Sequence, residues 1–119
     1  MFPTELEACA LRTPGGEYAW TRADALRAVR VLSGSACAVL GGEVWMVSGD
    51  KVSGLVPAAS GTPSVFRWEA DRQLEEPWPD FVQRSCALAL EAIADLPRHG
   101  EVSVPSGAVV YYNVTWTEE

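Results

Sequence analysis

Ala38-Val39-Leu40-Gly41-Gly42-Glu43-Val44-Trp45 decides how this chain folds. Apolar residues of strand type flank two adjacent glycines. Glycine inside a strand costs backbone entropy and marks a bulge or a close backbone approach. The stretch therefore reads as one bent strand or as two short ones, Ala36 to Leu40 and Glu43 to Ser48. The bend re-aims Glu43 and Trp45. It presents side chains and performs no chemistry of its own.

Working outward, a helix precedes this strand. Thr21 stands at its N-cap with Asp24 three residues on, a variant capping box. Ala25, Leu26, Val29 and Leu32 recur at helical spacing while Arg22, Arg27 and Arg30 turn outward. Ser33-Gly34 ends it, because glycine takes the left-handed conformation cheaply. On the other side, Gly49-Asp50 is a two-residue hairpin turn. It leads into a strand from Lys51 to Val56, a loop from Pro57 to Pro63, and a third strand from Val65 to Trp68. Asp80 then caps a second helix, with Gln83 in the capping-box position. Its apolar stripe is Val82, Cys86, Ala89, Leu90, Ile93 and Leu96, and Pro97 and Gly100 stop it.

The chain closes with a hairpin: Glu101 to Val104, a turn at Pro105-Ser106-Gly107, then Ala108 to Trp116. In the last strand Val110, Tyr112, Val114 and Trp116 share one face, and Tyr111, Asn113 and Thr115 the other. Residues 1–19, with Pro3, Pro14, Gly15 and Gly16, read as a loosely ordered arm holding one short helix around Glu5 to Leu11. Residues 20–119 read as a single domain. The expected class is α+β, an antiparallel β-sheet with two α-helices packed on one face.

A chain of 119 residues buries roughly two thirds of its unfolded surface, so a core forms without metal or disulfide. Nine basic against sixteen acidic residues leave a net charge of −7. That balance argues against nucleic acid, whose phosphates need clustered Lys and Arg. It argues equally against an anionic membrane surface. A basic protein partner is favoured, since complementary fields speed association. Cys9, Cys37 and Cys86 are odd in number and irregular in spacing, which fits reduced thiols in the cytoplasm. The sequence shows neither a secretory signal nor an apolar run of about 18 residues. Without such a signal, the Asn113-Val114-Thr115 sequon carries no weight.

Few residues suggest catalysis. Cys86 and His99 could pair as nucleophile and base, yet Cys86 falls on the apolar stripe, where a free thiol packs as a small hydrophobe. One histidine and three scattered cysteines supply no zinc ligand set. Gly41-Gly42 matches no nucleotide-binding motif. No catalytic residue, metal or cofactor is expected. The acids Glu69, Asp71, Glu75, Glu76 and Asp80 form a solvated face or a partner surface. Of five tryptophans, Trp20 and Trp116 belong to the core or its margin, while Trp45, Trp68 and Trp78 each neighbour charges, as interface anchors do, although burial is the commoner state of a tryptophan.

The segment from Ala25 to Trp45, helix into Ala-Val-Leu-Gly-Gly-Glu-Val-Trp, resembles the immunity protein 40 family of bacterial polymorphic toxin systems. The likeness runs on through Trp68, Trp78-Pro79-Asp80-Phe81 and the second helix, over residues 20–96. It implies a small cytoplasmic protein that binds and neutralises a cognate bacterial toxin domain, with no active site carried over. The expected partner-binding residues are Glu43, Trp45, Asp71, Glu75, Glu76 and Trp78, facing a basic toxin domain. Two other readings stand beside it. One is a structural or regulatory accessory domain that self-associates through an edge such as Ala108 to Trp116. The other is a small enzyme or ligand-binding protein with a pocket between sheet and helices.

Overall fold

The computed structural model describes residues 2–57, 62–97 and 102–119. In chain order the elements are α1 (Thr4–Cys9), β1 (Leu11–Arg12), β2 (Tyr18–Trp20), α2 (Arg22–Gly34), β3 (Ala38–Ser48), β4 (Lys51–Ser53), β5 (Arg67–Glu69), α3 (Trp78–Asp95) and β6 (Ala108–Thr117). All strand pairs are antiparallel, in the order β1-β2-β6-β3-β4. β3 holds β6 along one edge and divides its other edge between β5, at Gly41–Glu43, and β4, at Met46–Ser48. The architecture is α+β, as the sequence implies.

The decisive stretch is one bent strand. Its register with β6 slips between Val39 and Gly41, leaving Leu40 as the extra residue of a bulge. Leu40 still offers its carbonyl to Ala70 N at 2.9 Å. Val39 N–H donates instead to Ser85 Oγ of α3, at 3.1 Å. Both glycines are there because other groups come too close for a side chain. A Cβ on Gly42 would collide with the Asn113 carbonyl oxygen and the Trp68 ring, and one on Gly41 with the Trp68 carbonyl oxygen.

Directly paired residues of antiparallel strands share a face. Gly42 with Val114, Val44 with Tyr112, and Met46 with Val110 therefore face one way; Gly41 with Thr115, Glu43 with Asn113, and Trp45 with Tyr111 face the other. The first face receives α2 through Ala25, Ala28, Val29 and Leu32, and α3 through Phe81, Val82, Cys86, Ala89 and Ile93. Burying each large apolar side chain there contributes about 1.5–3 kcal/mol.

Several details depart from the sequence expectation. Residues 2–20 are built into the fold in place of a loose arm. Leu6 of α1 is fully buried, Trp20 Nε1 donates to its carbonyl at 2.8 Å, and Phe2 meets Trp20 and Trp116 edge-on. Pro14-Gly15-Gly16 forms the β1–β2 turn, with Gly16 at φ 83°. Two-residue and three-residue strands are too short to show alternation. Thr21 is the N-cap of α2, but its side chain makes no capping bond. α3 starts at Trp78 behind Pro77, so Asp80 lies inside the first turn, favourable to the helix dipole without being the cap.

β4 ends at Ser53, and Val56 forms an isolated bridge with Ser64; the third strand is Arg67–Glu69. The closing hairpin is not formed as expected. Its first strand overlaps residues 102–104, of which Ser103 N bonds to Pro57 O, while β6 pairs with β2 and β3. Glu101, and Gly100 as helix stop, lie outside the described residues. β3 occupies one edge of Ala108 to Trp116 along its whole length, while β2 pairs with only Tyr112 to Val114 on the other.

Candidate acidic interaction site

On the face opposite the long helices, the bulge of β3 opens a cleft of about 320 Å³ between β5 and β6. Register explains its lining. Glu43 stands opposite Arg67 on one side and Asn113 on the other; Gly41 stands opposite Glu69 and Thr115. Gly41 contributes no side chain to the lining, and the Trp68 carbonyl of β5 approaches where one would stand. Asp71 completes the rim. Three carboxylates thus meet one guanidinium, and among the described residues none of these four groups belongs to an ion pair. Gly54 makes room for Glu43, whose carboxylate lies where a Cβ would stand.

Beside the cleft, residues 71–76 form a braced turn. Arg84 of α3 donates from Nε to Glu76 Oε2 at 2.9 Å, from Nη2 to Glu76 Oε1 at 2.8 Å and from Nη2 to the Asp71 carbonyl at 2.6 Å. Gln73 N donates to Glu76 Oε1 at 2.9 Å, and Arg72 Nε to the Glu76 carbonyl at 2.9 Å. The Arg84 hydrogen bonds, seconded by the Gln73 N–H, hold the Glu76 carboxyl down at about 2. The Glu76 side chain is only 9% exposed. Glu75 takes φ 63°, and Leu74 at the tip is 95% exposed.

These positions sort the six expected contact residues. Glu43 and Asp71 share the cleft. Glu75 is exposed on the turn, whereas Glu76 is consumed by its brace. Trp45 is buried at 7% exposure on the cleft face of the sheet, opposite Tyr111, and offers no open ring. Trp78 is half-buried: Nε1 donates to the Ala36 carbonyl at 2.9 Å, Arg72 covers its ring at 5.3 Å, and Phe81 meets it edge-on. It borders a separate shallow depression with Ser33, Pro79 and Val82. Trp68 belongs to the core, its ring over Gly42. Arg67, Asn113 and Thr115 escape sequence reasoning as site residues, since only strand register brings them to Glu43.

The thiols are poorly placed for nucleophilic work. Cys86 is 3% exposed, its Sγ lies 3.5 Å from the Cys37 carbonyl, and burial pushes its thiol up. Desolvation raises Cys37 as well. A thiol held protonated is a weak nucleophile. His99 lies outside the described residues. Among those described, no group of three or more His, Cys, Asp or Glu side chains is arranged to hold a metal ion. No described helix is long and apolar enough to cross a membrane.

Comparison with known proteins gives one family. No curated protein and no solved structure matches the chain. The sequence model of immunity protein 40 matches residues 5–109, from α1 to the start of β6. The chain belongs to the immunity protein 40 family.

Proposed function

We propose that this protein binds a cognate bacterial toxin domain in the cytoplasm and neutralises it by contact, without catalysis. Family membership supports the immunity role. The observation that carries the surface is the cleft opposite the helices, where Glu43, Glu69 and Asp71 gather against Arg67 alone. Carboxylates left without an ion pair in the free protein are available to a basic partner, and they steer its approach. In this reading Glu43, Asp71, Glu75 and the open edge of Trp78 touch the toxin. Trp45 and Glu76 act one step back, filling the sheet beneath the cleft and bracing the turn beside it.

The test is to co-express this protein with each toxin domain found in the genes flanking its own. Rescue of growth, together with recovery of a stoichiometric complex, is the expected result. A set of toxins that all stay unbound and active in the presence of the folded protein defeats the proposal.

A further inference from the structure

We infer that Leu74 is the apolar anchor by which this protein holds the toxin, an inference that rests on the toxin-binding reading above. Among the described residues no other large apolar side chain stands so far out: Leu74 is 95% exposed, and Leu55, the next, 58%. Such a side chain contributes almost nothing to its own fold. Its backbone is nevertheless fixed. Glu76 N donates to the Gln73 carbonyl at 3.0 Å, closing a four-residue turn with Leu74 and Glu75 at its corners. Of the two corners only Glu75 has a positive φ, 63°, which is the type II pattern, and that position favours glycine or asparagine. A glutamate there is strained, and such strain persists only where surrounding bonds over-determine the backbone. Arg84, Arg72 and the Glu76 carboxylate supply those bonds. Pro77, immediately after the turn, stiffens its exit. The turn thus holds a leucine out in water on a rigid mount, with a carboxylate beside it.

The partner that fits this turn is a protein surface with an apolar socket and a basic lip. A leucine side chain has no polar group to offer an ion or a polar ligand, so its contribution to binding comes from leaving water. Stable interfaces bury an apolar centre inside a polar rim. The rim is in place here. Glu75 adjoins Leu74 and forms no ion pair among the described residues. Arg72, on the other side, is engaged with Glu119 at 3.4 Å, and Asp71 leads from the turn into the cleft at the β3 bulge. Because the mount is already ordered, binding forfeits little backbone freedom, and one leucine can count. Charge chooses between the proteins that could supply the socket. A second copy of this chain carries the same net charge of −7 and sets Glu75 against its own sign. A basic toxin domain meets Glu75 with the opposite sign.

The experiment measures binding kinetics of the native chain, Leu74→Ser and Leu74→Met with each toxin domain found in the genes flanking its own, at low and high salt. Each protein is also sedimented alone. Thermal unfolding of both variants should match the native profile, because a side chain this exposed has almost no contacts to lose. Leu74→Ser should bind at least about tenfold more weakly, through faster dissociation and equally at both salt concentrations. Leu74→Met keeps the apolar volume and should stay within about threefold of the native chain. A residue that only shaped the turn would disturb the unfolding profile and would not be rescued by methionine. If the native chain binds and Leu74→Ser dissociates as slowly, the anchor is wrong and toxin binding stands. If the native chain alone forms a dimer that Leu74→Ser abolishes, the socket belongs to a second copy and the anchor is again overturned. If the native chain binds none of the toxin domains, both readings fall.

Discussion

Arg84 of α3 grips Glu76 by two nitrogens, Nε at 2.9 Å and Nη2 at 2.8 Å, and reaches past it to the Asp71 carbonyl. One side chain thereby closes both ends of the turn that carries the exposed acids. A fork of planar donors is what makes this possible; a lysine in its place would serve one oxygen at a time. The brace fixes Asp71 at the cleft rim and Glu75 at the turn tip before any partner arrives. Preorganisation of this kind spares the ordering cost of association.

The pair also imposes a pH dependence. The Glu76 carboxyl sits at about 2 in the folded protein, below its ordinary 4.5. Between those values the unfolded chain holds the extra proton, so stability rises with pH across the window. The contribution is complete above the ordinary value and is lost as pH falls through about 2. Glu76→Gln should therefore lower the thermal midpoint at neutral pH, with the gap to the native protein closing on acidification from 4.5 to 2. Melts recorded across that range check this, and a gap independent of pH would contradict it.

Gly42 is fixed by contact. Its would-be Cβ meets the Asn113 carbonyl oxygen and the Trp68 ring, a backbone atom and a core side chain that cannot swing away. Gly42→Ala should destabilise by about 1–3 kcal/mol, the usual cost of overpacking. Gly34, at the end of α2, has open space around it. Gly34→Ala should leave stability unchanged or raise it by about 0.5–1 kcal/mol through helix propensity. Urea unfolding of both variants reads the contrast in sign.

The same glycine pair shows what was legible from sequence. Gly41-Gly42 reveals a bend, and the spacings of Ala25 to Leu32 and of Val82 to Ile93 reveal two helices, because period and punctuation are local properties. The position of β6 is not local. Pro105-Ser106-Gly107 looks like a hairpin turn, yet β6 inserts between β2 and β3, a choice made by long-range pairing. The candidate site is therefore only half visible. Glu43 and Asp71 are recognisable as acids near the bend, while Arg67 and Asn113 join them only through register. Charged neighbours in sequence make Trp45 look exposed. Glu43, two residues earlier, shares the face of Trp45 by alternation, yet Trp45 is buried there.

Ser85 is a polar residue with no exposed surface, and it earns its place at the bulge. Its Oγ accepts from Val39 N at 3.1 Å and donates to the Val82 carbonyl at 3.2 Å. Ser85→Ala strands a buried backbone N–H, at a cost of about 1–3 kcal/mol. Hydrogen exchange should report the loss at Val39 more strongly than at Val44, whose N–H donates to Phe66 O at 2.8 Å in either protein. Equal acceleration of exchange at both amides would mean the Oγ contact contributes little.

Glu75 separates steering from architecture. It is exposed, and among the described residues its carboxylate forms no ion pair, unlike that of Glu76. Glu75→Lys should leave folding stability within about 0.5 kcal/mol, as surface changes usually do. Against a basic toxin domain it should slow association by about three- to tenfold at low salt, with dissociation little altered, because rim charges act on encounter. Raising the salt should shrink the difference, since screening shortens the reach of both charges. Glu76→Lys is the informative companion: it breaks the Arg84 brace, so it should lose stability as well as association rate. Stopped-flow mixing at two salt concentrations, beside thermal melts, distinguishes the two. An unchanged low-salt association rate for Glu75→Lys would take the turn tip out of the encounter surface and leave the cleft to carry it alone.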